Sequence, residues 1–192
     1  APTAKTQFIP NGVDPILFPF SGASVASRDP VIGLFGDIKH KKGLGFLLEN
    51  LDLDTHQLRI VGNLREDSAK VLHGYISIHP QHANRITHVG LVKTLPELLE
   101  QYRACDVICV PSIHEGMANV MLEAMSCGKV VLCSRVGGAM DVVVHGENGF
   151  LFDMADSRSF KSSLRSAVHA ANDPSQKISK GARDKIAASF NW

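Results

Sequence analysis

The chain has 192 residues, which is the size of one domain with a substantial core. Its 44% hydrophobic and 20% charged residues lie close to the globular average, and this argues against a disordered chain or a coiled coil. The formal net charge of +1 argues against a nucleic-acid partner or an anionic membrane, so any anion site must be local.

The start of the chain has the composition of a connecting segment. Residues 10–19 and 21–27 are rich in proline or in small residues, which is typical of a linker. We therefore predict a linker between domains over residues 1–28 and a globular domain over residues 29–192. Because the chain starts at Ala1 rather than at a methionine and ends abruptly in a helical pattern, we expect it to be part of a longer protein.

Short β-branched runs alternate with longer helical patterns along the rest of the chain. The predicted strands are residues 31–35, 58–61, 85–89, 106–110, 130–133 and 149–152. The predicted helices are residues 44–51, 67–75, 95–102, 119–126, 157–171 and 174–190. Thr94 and Glu97 have the spacing of a capping box before the third helix. This alternation predicts an α/β fold with one Rossmann-like, doubly wound parallel sheet in the order 3-2-1-4-5-6.

Two loops are expected to meet where that strand order reverses. Ligands of such sheets bind at this point, outside the carboxyl ends of the first and fourth strands. The loop after the first strand, residues 36–43, holds three lysines. The loop after the fourth strand, residues 111–119, leads into a helix whose first N–H groups point at the same place. Together they predict an anion site, the alternative being that the lysines form a solvated turn.

Two glutamates flank the start of the fourth helix. Glu115 comes just before it and Glu123 lies in its second turn, so up to ~12 Å separates them along the axis. A diphosphate at the helix N-terminus would have a carboxylate near each end, and a nucleotide sugar offers hydroxyl groups at both ends. Carboxylates accept strong hydrogen bonds from hydroxyls. The alternative of two solvent-facing glutamates is weakened by the apolar neighbours of Glu123, residues 121–122 and 124–125.

An ordered set of short motifs extends this pattern over nearly the whole chain. They are residues 9–14, 110–112, 115–116, 119–120, 122–125, 128–131, 136–138, 141–143, 146–149 and 151–152. In this order they resemble the C-terminal, donor-binding domain of a family-four retaining glycosyltransferase with the GT-B fold.

The resemblance implies a role for individual residues. The catalytic candidates are Lys42, which would stabilise the leaving diphosphate, and Glu115, which would bind hydroxyls of the transferred sugar. Glu123 would bind the ribose. The remaining substrate-binding candidates are Gly36 at the end of the first strand, the backbone of Gly116, Met117, Ala118 and Asn119 around the sugar and the distal phosphate, and Leu91 and Val92 around the base.

One position departs from the family pattern. Family members usually have an arginine after the glycine that ends the first strand, and here the residue is Asp37. An acid at this place would repel a phosphate. Two outcomes are open: Lys39, Lys41 or Arg65 supplies the cation from nearby, or the affinity for the donor is poor.

The resemblance implies transfer of a sugar from a nucleotide-diphosphate donor to an acceptor hydroxyl, with retention at the anomeric carbon. We expect the chain alone to bind the donor without turnover, because an N-terminal domain would hold the acceptor, a glycan or a lipid-linked glycan. No cofactor is expected. No metal site is expected either, since Asp52 and Asp54 lie far from the predicted site. The alternatives are a non-catalytic GT-B binding or scaffolding module, which Asp37 favours, and a sugar-nucleotide epimerase.

The four cysteines lie in or beside apolar segments without the spacing of a zinc site. They predict buried free thiols and a reducing compartment. We therefore expect a cytoplasmic protein, with attachment to the inner face of a membrane left open for the full-length protein.

Overall fold

A computed structural model describes residues 11–21 and 29–191 of the chain. Its centre is one six-stranded sheet in which every neighbouring pair of strands is parallel, in the order β3-β2-β1-β4-β5-β6. The strands are β1 (Val31–Phe35), β2 (Gln57–Val61), β3 (Ile86–Gly90), β4 (Val107–Val110), β5 (Val130–Ser134) and β6 (Phe150–Phe152). The predicted fold class and strand order are confirmed.

Seven α-helices connect and cover the strands in the described part of the chain. They are α1 (Leu44–Asn50), α2 (Glu66–Ile78), α3 (Leu95–Arg103), α4 (Asn119–Ser126), α5 (Ala139–Val142), α6 (Ser157–Ala171) and α7 (Lys177–Ser189). Thr94 and Glu97 form the predicted capping box at the start of α3. Helix α5 and two 3-10 helices, His40–Lys42 and Pro80–Arg85, were not predicted, because such short turns show no hydrophobic period. None of the described helices has the length and hydropathy to cross a bilayer.

The core lies on both faces of the sheet, since alternate strand residues point to opposite sides. On one face, strand residues such as Ile32 and Leu132 pack against α1, α2 and α6. On the other face, residues such as Ile108 and Val131 pack against α3, α4 and α7. The central strand β4 is therefore buried along its whole length, as its continuous apolar sequence predicts.

The four cysteines are free and buried, as predicted. Burial raises the pKa of Cys127 to about 11 and that of Cys133 to about 12. These thiols stay protonated at neutral pH, and they act as small apolar core residues.

Residues 11–21 of the predicted linker pack against the domain. The Val13 N–H donates to the Phe190 carbonyl at 2.8 Å. Arg183 of α7 donates to the carbonyl oxygens of Phe18 and Pro15 at 2.8 and 3.0 Å. The other parts of that segment, residues 1–10 and 22–28, lie outside the described residues. The boundary at residue 28 stays a prediction.

Candidate functional site

The loops after β1 and β4 lie side by side at the carboxyl edge of the sheet. The Ile113 N–H donates to the Lys41 carbonyl at 2.9 Å and joins the two loops. Gly43 ends the first loop with a φ of 76°, and a Cβ at this position would collide with the Pro111 carbonyl oxygen. A glycine is therefore required for the loops to approach this closely. Lys42 and Glu115 lie on neighbouring loops at the carboxyl edge of the sheet, as the sequence predicts.

Lys42 and Glu115 form an ion pair across these loops, from Nζ to Oε2. Their side chains are only 16% and 20% exposed, so the pair is largely shielded from water. Ser112 Oγ also donates to Glu115 Oε2, at 3.3 Å. A sugar hydroxyl or phosphate that reaches this point therefore meets a lysine and a carboxylate that already neutralise each other.

The backbone before α4 is held from two sides. The Gly138 N–H donates to the Gly116 carbonyl, and a Cβ at Gly137 would collide with the carbonyl oxygen of Glu115. From the other side, the Asn11 amide donates to the Met117 carbonyl at 3.1 Å and to Asn119 Oδ1 at 3.0 Å. Ala118, the N-cap, makes no side-chain capping bond, so no N-cap side chain competes with a ligand for the N–H groups in the first turn of α4.

A cavity of about 620 Å³ opens beside this helix terminus, within the size range of small-molecule sites. Its lining residues come from the ends of β1, β2 and β3 and from α3 and α4: Phe35, Gly36, Asp37, Val61, Gly62, Asn63, Arg65, Leu91, Val92, Leu98, Tyr102, Val120 and Glu123. The candidates Gly36, Arg65, Leu91, Val92 and Glu123 thus share one cavity. Lys42 and Glu115 are not in its lining and mark a neighbouring point of the same edge.

Glu123 lies at the inner wall of the cavity. Tyr102 Oη donates to its Oε2 at 2.7 Å, and the Tyr102 ring is fully buried and stacked on Phe35 with centroids 4.5 Å apart. Burial raises the pKa of Glu123, while the Tyr102 hydrogen bond lowers it in part. The sequence does not predict Tyr102 as a site residue, because nothing in it connects this tyrosine with a glutamate 21 residues away.

Asp37 lies at the mouth of the cavity and is paired. Arg65 Nε and Nη2 donate to its two carboxylate oxygens at 2.7 and 3.1 Å. Lys39 Nζ is 3.8 Å from Asp37 Oδ2. The hydrogen bond from Arg65 is the main cause of the lowered pKa of Asp37. Of the three candidate cations, Arg65 therefore binds Asp37 directly and Lys39 is near, whereas Lys41 is exposed and joins the site through its backbone carbonyl.

The sequence matches a known family over most of the domain. The pattern of the family described as Glycosyl transferases group 1 matches residues 29–169. The D-inositol 3-phosphate glycosyltransferase of Thermobispora bispora is 39% identical over 99 residues, which are 50% of this chain and 22% of that protein. The alpha-maltose-1-phosphate synthase of Mycolicibacterium smegmatis is 28% identical over 174 residues, which are 85% of this chain and 44% of that protein. The chain spans less than half the length of the first curated relatives it matches.

Solved structures share the fold. The sucrose-phosphate synthase from Thermosynechococcus elongatus superposes with a TM-score of 0.81 at 27% identity, over 99% of this chain and 50% of that chain. The Anabaena protein HepE in complex with UDP superposes with a TM-score of 0.79 at 25% identity, over 94% of this chain and 52% of that chain. HepE has also been solved with UDP-glucose, and that structure gives a TM-score of 0.74 at 26% identity over the same shares.

Proposed function

The chain belongs to the group 1 glycosyl transferases, and we propose that it is the donor-binding domain of a retaining, family-four member with the GT-B fold. The observation that carries the proposal is the cavity at the carboxyl edge of the sheet, where Tyr102 holds Glu123, next to the point where Lys42 meets Glu115. The donor is a nucleoside diphosphate sugar. The structural neighbour HepE has been solved in complex with UDP and with UDP-glucose. Uridine nucleotides are therefore the first to test.

Each part of the donor has a counterpart in this arrangement. Glu123 accepts hydrogen bonds from the ribose, and the backbone of Leu91 and Val92 borders the base. The N-terminus of α4 favours the negative charge of the diphosphate. Glu115 binds hydroxyls of the transferred sugar, and Lys42, already within reach of Glu115, binds the diphosphate.

The reaction breaks the bond between the anomeric carbon and the phosphate oxygen and forms a bond from the same carbon to the acceptor oxygen. Negative charge grows on the departing diphosphate, and Lys42 together with the α4 terminus stabilises it. The departing phosphate oxygen takes the proton of the acceptor hydroxyl, so no further general base is assigned in this domain. The acceptor, a glycan or a lipid-linked glycan, is held by an N-terminal domain of the full-length protein. The half-length match to the sucrose-phosphate synthase chain supports that division.

A second candidate function is a binding module without activity. The observation that favours it is Asp37, an acid where the diphosphate is expected. The pairing of Asp37 with Arg65 and Lys39 weakens this argument, because the carboxylate is neutralised by two cations. An epimerase of the same fold is the third candidate, and the two-glutamate signature of the retaining family argues against it.

Two measurements test the proposal. Calorimetry on this chain with UDP, GDP and ADP measures donor binding, and we expect one of the three to bind. Release of nucleoside diphosphate by the full-length protein, with and without acceptors, separates the three candidates. An acceptor-dependent release supports the transferase, nucleotide binding without release supports the module, and epimerised sugar nucleotide supports the epimerase. Absence of binding to both this chain and the full-length protein would contradict all three.

A further inference from the structure

The charges around the cavity do not suit a diphosphate at first sight. Two carboxylates, Asp37 and Glu123, belong to its lining. Among the described residues that line it, Arg65 is the only lysine or arginine. Lys42 lies outside the lining and is engaged by Glu115. Inside the cavity itself, a diphosphate therefore finds its cation in Arg65, and Lys42 can reach it only from the neighbouring point of the edge.

Arg65 retains donors for such a ligand. A guanidinium carries five N–H groups, and the pair with Asp37 uses one on Nε and one on Nη2. The side chain is 56% exposed, so its remaining N–H groups are accessible. The bidentate pair fixes the plane of the guanidinium. A planar guanidinium held in this way can donate two parallel hydrogen bonds to a phosphate.

The backbone beneath this pair is fixed as well. The Arg65 N–H donates to the Ile38 carbonyl at 2.9 Å, and the Ile38 N–H donates to the Asn63 carbonyl at 2.8 Å. These bonds join the loop after β1 to the loop after β2 directly below the two side chains. Asn63 Nδ2 also lies 3.5 Å from Asp37 Oδ1. Asp37 thus restrains the Arg65 guanidinium, and less side-chain entropy is lost when a ligand binds than for an unpaired arginine.

We propose that Arg65 binds the diphosphate of the donor and that Asp37 is the residue that positions it. The inference rests on the proposed donor site and extends it, because it adds to Lys42 a second cation for the diphosphate, on the loop after β2. Asp37 acts through Arg65 and does not contact the ligand. Arg65 offsets the negative charge of this carboxylate, so Asp37 repels a diphosphate more strongly when Arg65 is absent.

A double-mutant cycle tests both parts. Binding of UDP, UMP and uridine, or of the guanine or adenine series if the chain prefers it, is measured by calorimetry for Arg65→Ala, Asp37→Asn and the double variant. Because Arg65→Ala removes a charged hydrogen bond, we expect it to weaken binding of the diphosphate by about tenfold or more. Binding of the nucleoside should weaken by less than about twofold. Asp37→Asn is expected to change diphosphate affinity by less than about threefold in the wild-type background, but to tighten it by about fivefold or more in the Arg65→Ala background.

The outcomes separate this inference from the proposed function. Unchanged diphosphate affinity in Arg65→Ala, or equal losses for the diphosphate and the nucleoside, overturns the role of Arg65 while the donor site stands. The same effect of Asp37→Asn in both backgrounds overturns the positioning role of Asp37. If the unaltered chain binds no nucleoside diphosphate, both proposals fail. Arg158→Ala is the matched control, since Arg158 is a largely exposed arginine paired with Asp156 outside the cavity. Thermal unfolding of every variant verifies that it is folded.

Discussion

Replacing Glu123 by glutamine should weaken nucleotide binding and stabilise the free chain at the same time. Glutamine keeps the size of the side chain and an oxygen that accepts the Tyr102 hydrogen bond, but it removes the charge. A hydrogen bond to a charged group contributes ~1.5–3 kcal/mol and a neutral one ~0.5–1.5 kcal/mol. The difference of roughly 1–1.5 kcal/mol predicts a five- to tenfold loss of affinity for each ribose hydroxyl that Glu123 binds.

The gain in stability follows from the direction of the pKa shift. Burial raises the pKa of Glu123, so the folded chain binds this proton more tightly than the unfolded chain does. The stability that this provides is fully present below the unfolded pKa and is lost as the pH rises through the folded pKa. Above the folded pKa, the cost of burying the ionised carboxylate lowers the stability of the folded state, so Glu123→Gln should raise the melting temperature there. The gain in melting temperature should shrink as the pH falls toward the pKa of an ordinary glutamate.

Calorimetry with a nucleoside diphosphate measures the change in affinity. Thermal unfolding between about pH 5 and pH 8, the range in which proteins are usually most stable, measures the change in stability. Glu100→Gln is the matched control, because Glu100 is exposed on α3 near the same tyrosine. The control should change neither quantity. Loss of both affinity and stability in Glu123→Gln would mean that Glu123 is a structural residue. An unchanged affinity with a raised melting temperature would mean that Glu123 does not contact the nucleotide.

Three further predictions concern the same edge of the sheet. Glu115→Gln should reduce turnover of the full-length protein by about tenfold or more. It should not weaken binding of the free nucleoside diphosphate, because it releases Lys42 from its ion pair. A loss of affinity in calorimetry that matches the loss of turnover would contradict these separate roles. Tyr102→Phe should weaken nucleotide binding most at acidic pH, because the pKa of Glu123 rises further without the phenol; an identical loss of affinity at every pH contradicts this reasoning. Nucleoside diphosphate binding should persist in EDTA, because the cations assigned to the diphosphate are the side chains of Lys42 and Arg65, and a strict requirement for magnesium in calorimetry would count against the assignment.

The sequence by itself determined the architecture and the sheet edge on which the candidate site residues Lys42 and Glu115 meet. Apolar runs such as Val31–Phe35 and Val107–Val110 are local patterns, and the right-handed connection of parallel strands leaves few ways to order them. The N-terminus of α4 and the capping box of Thr94 are equally local, and both lie where the sequence predicts. Strand order then makes the loops of Lys42 and Glu115 neighbours. Lengths of longer helices were less well predicted, since α7 begins at Lys177 and not near residue 174.

Only the tertiary structure decided which side chains are partners. Asp37 and Arg65 are 28 residues apart. The sequence presents Asp37 only as an acid where a phosphate is expected, whereas in the fold it is half of an ion pair. The partnership of Tyr102 with Glu123 is equally invisible in the sequence. The physical reason is that periodicity fixes which face of an element is buried, but the position of a side chain in a loop depends on dihedral angles and backbone hydrogen bonds between loops. In this protein those include close approaches such as that of Gly43 to Pro111, which join loops that are far apart in the sequence.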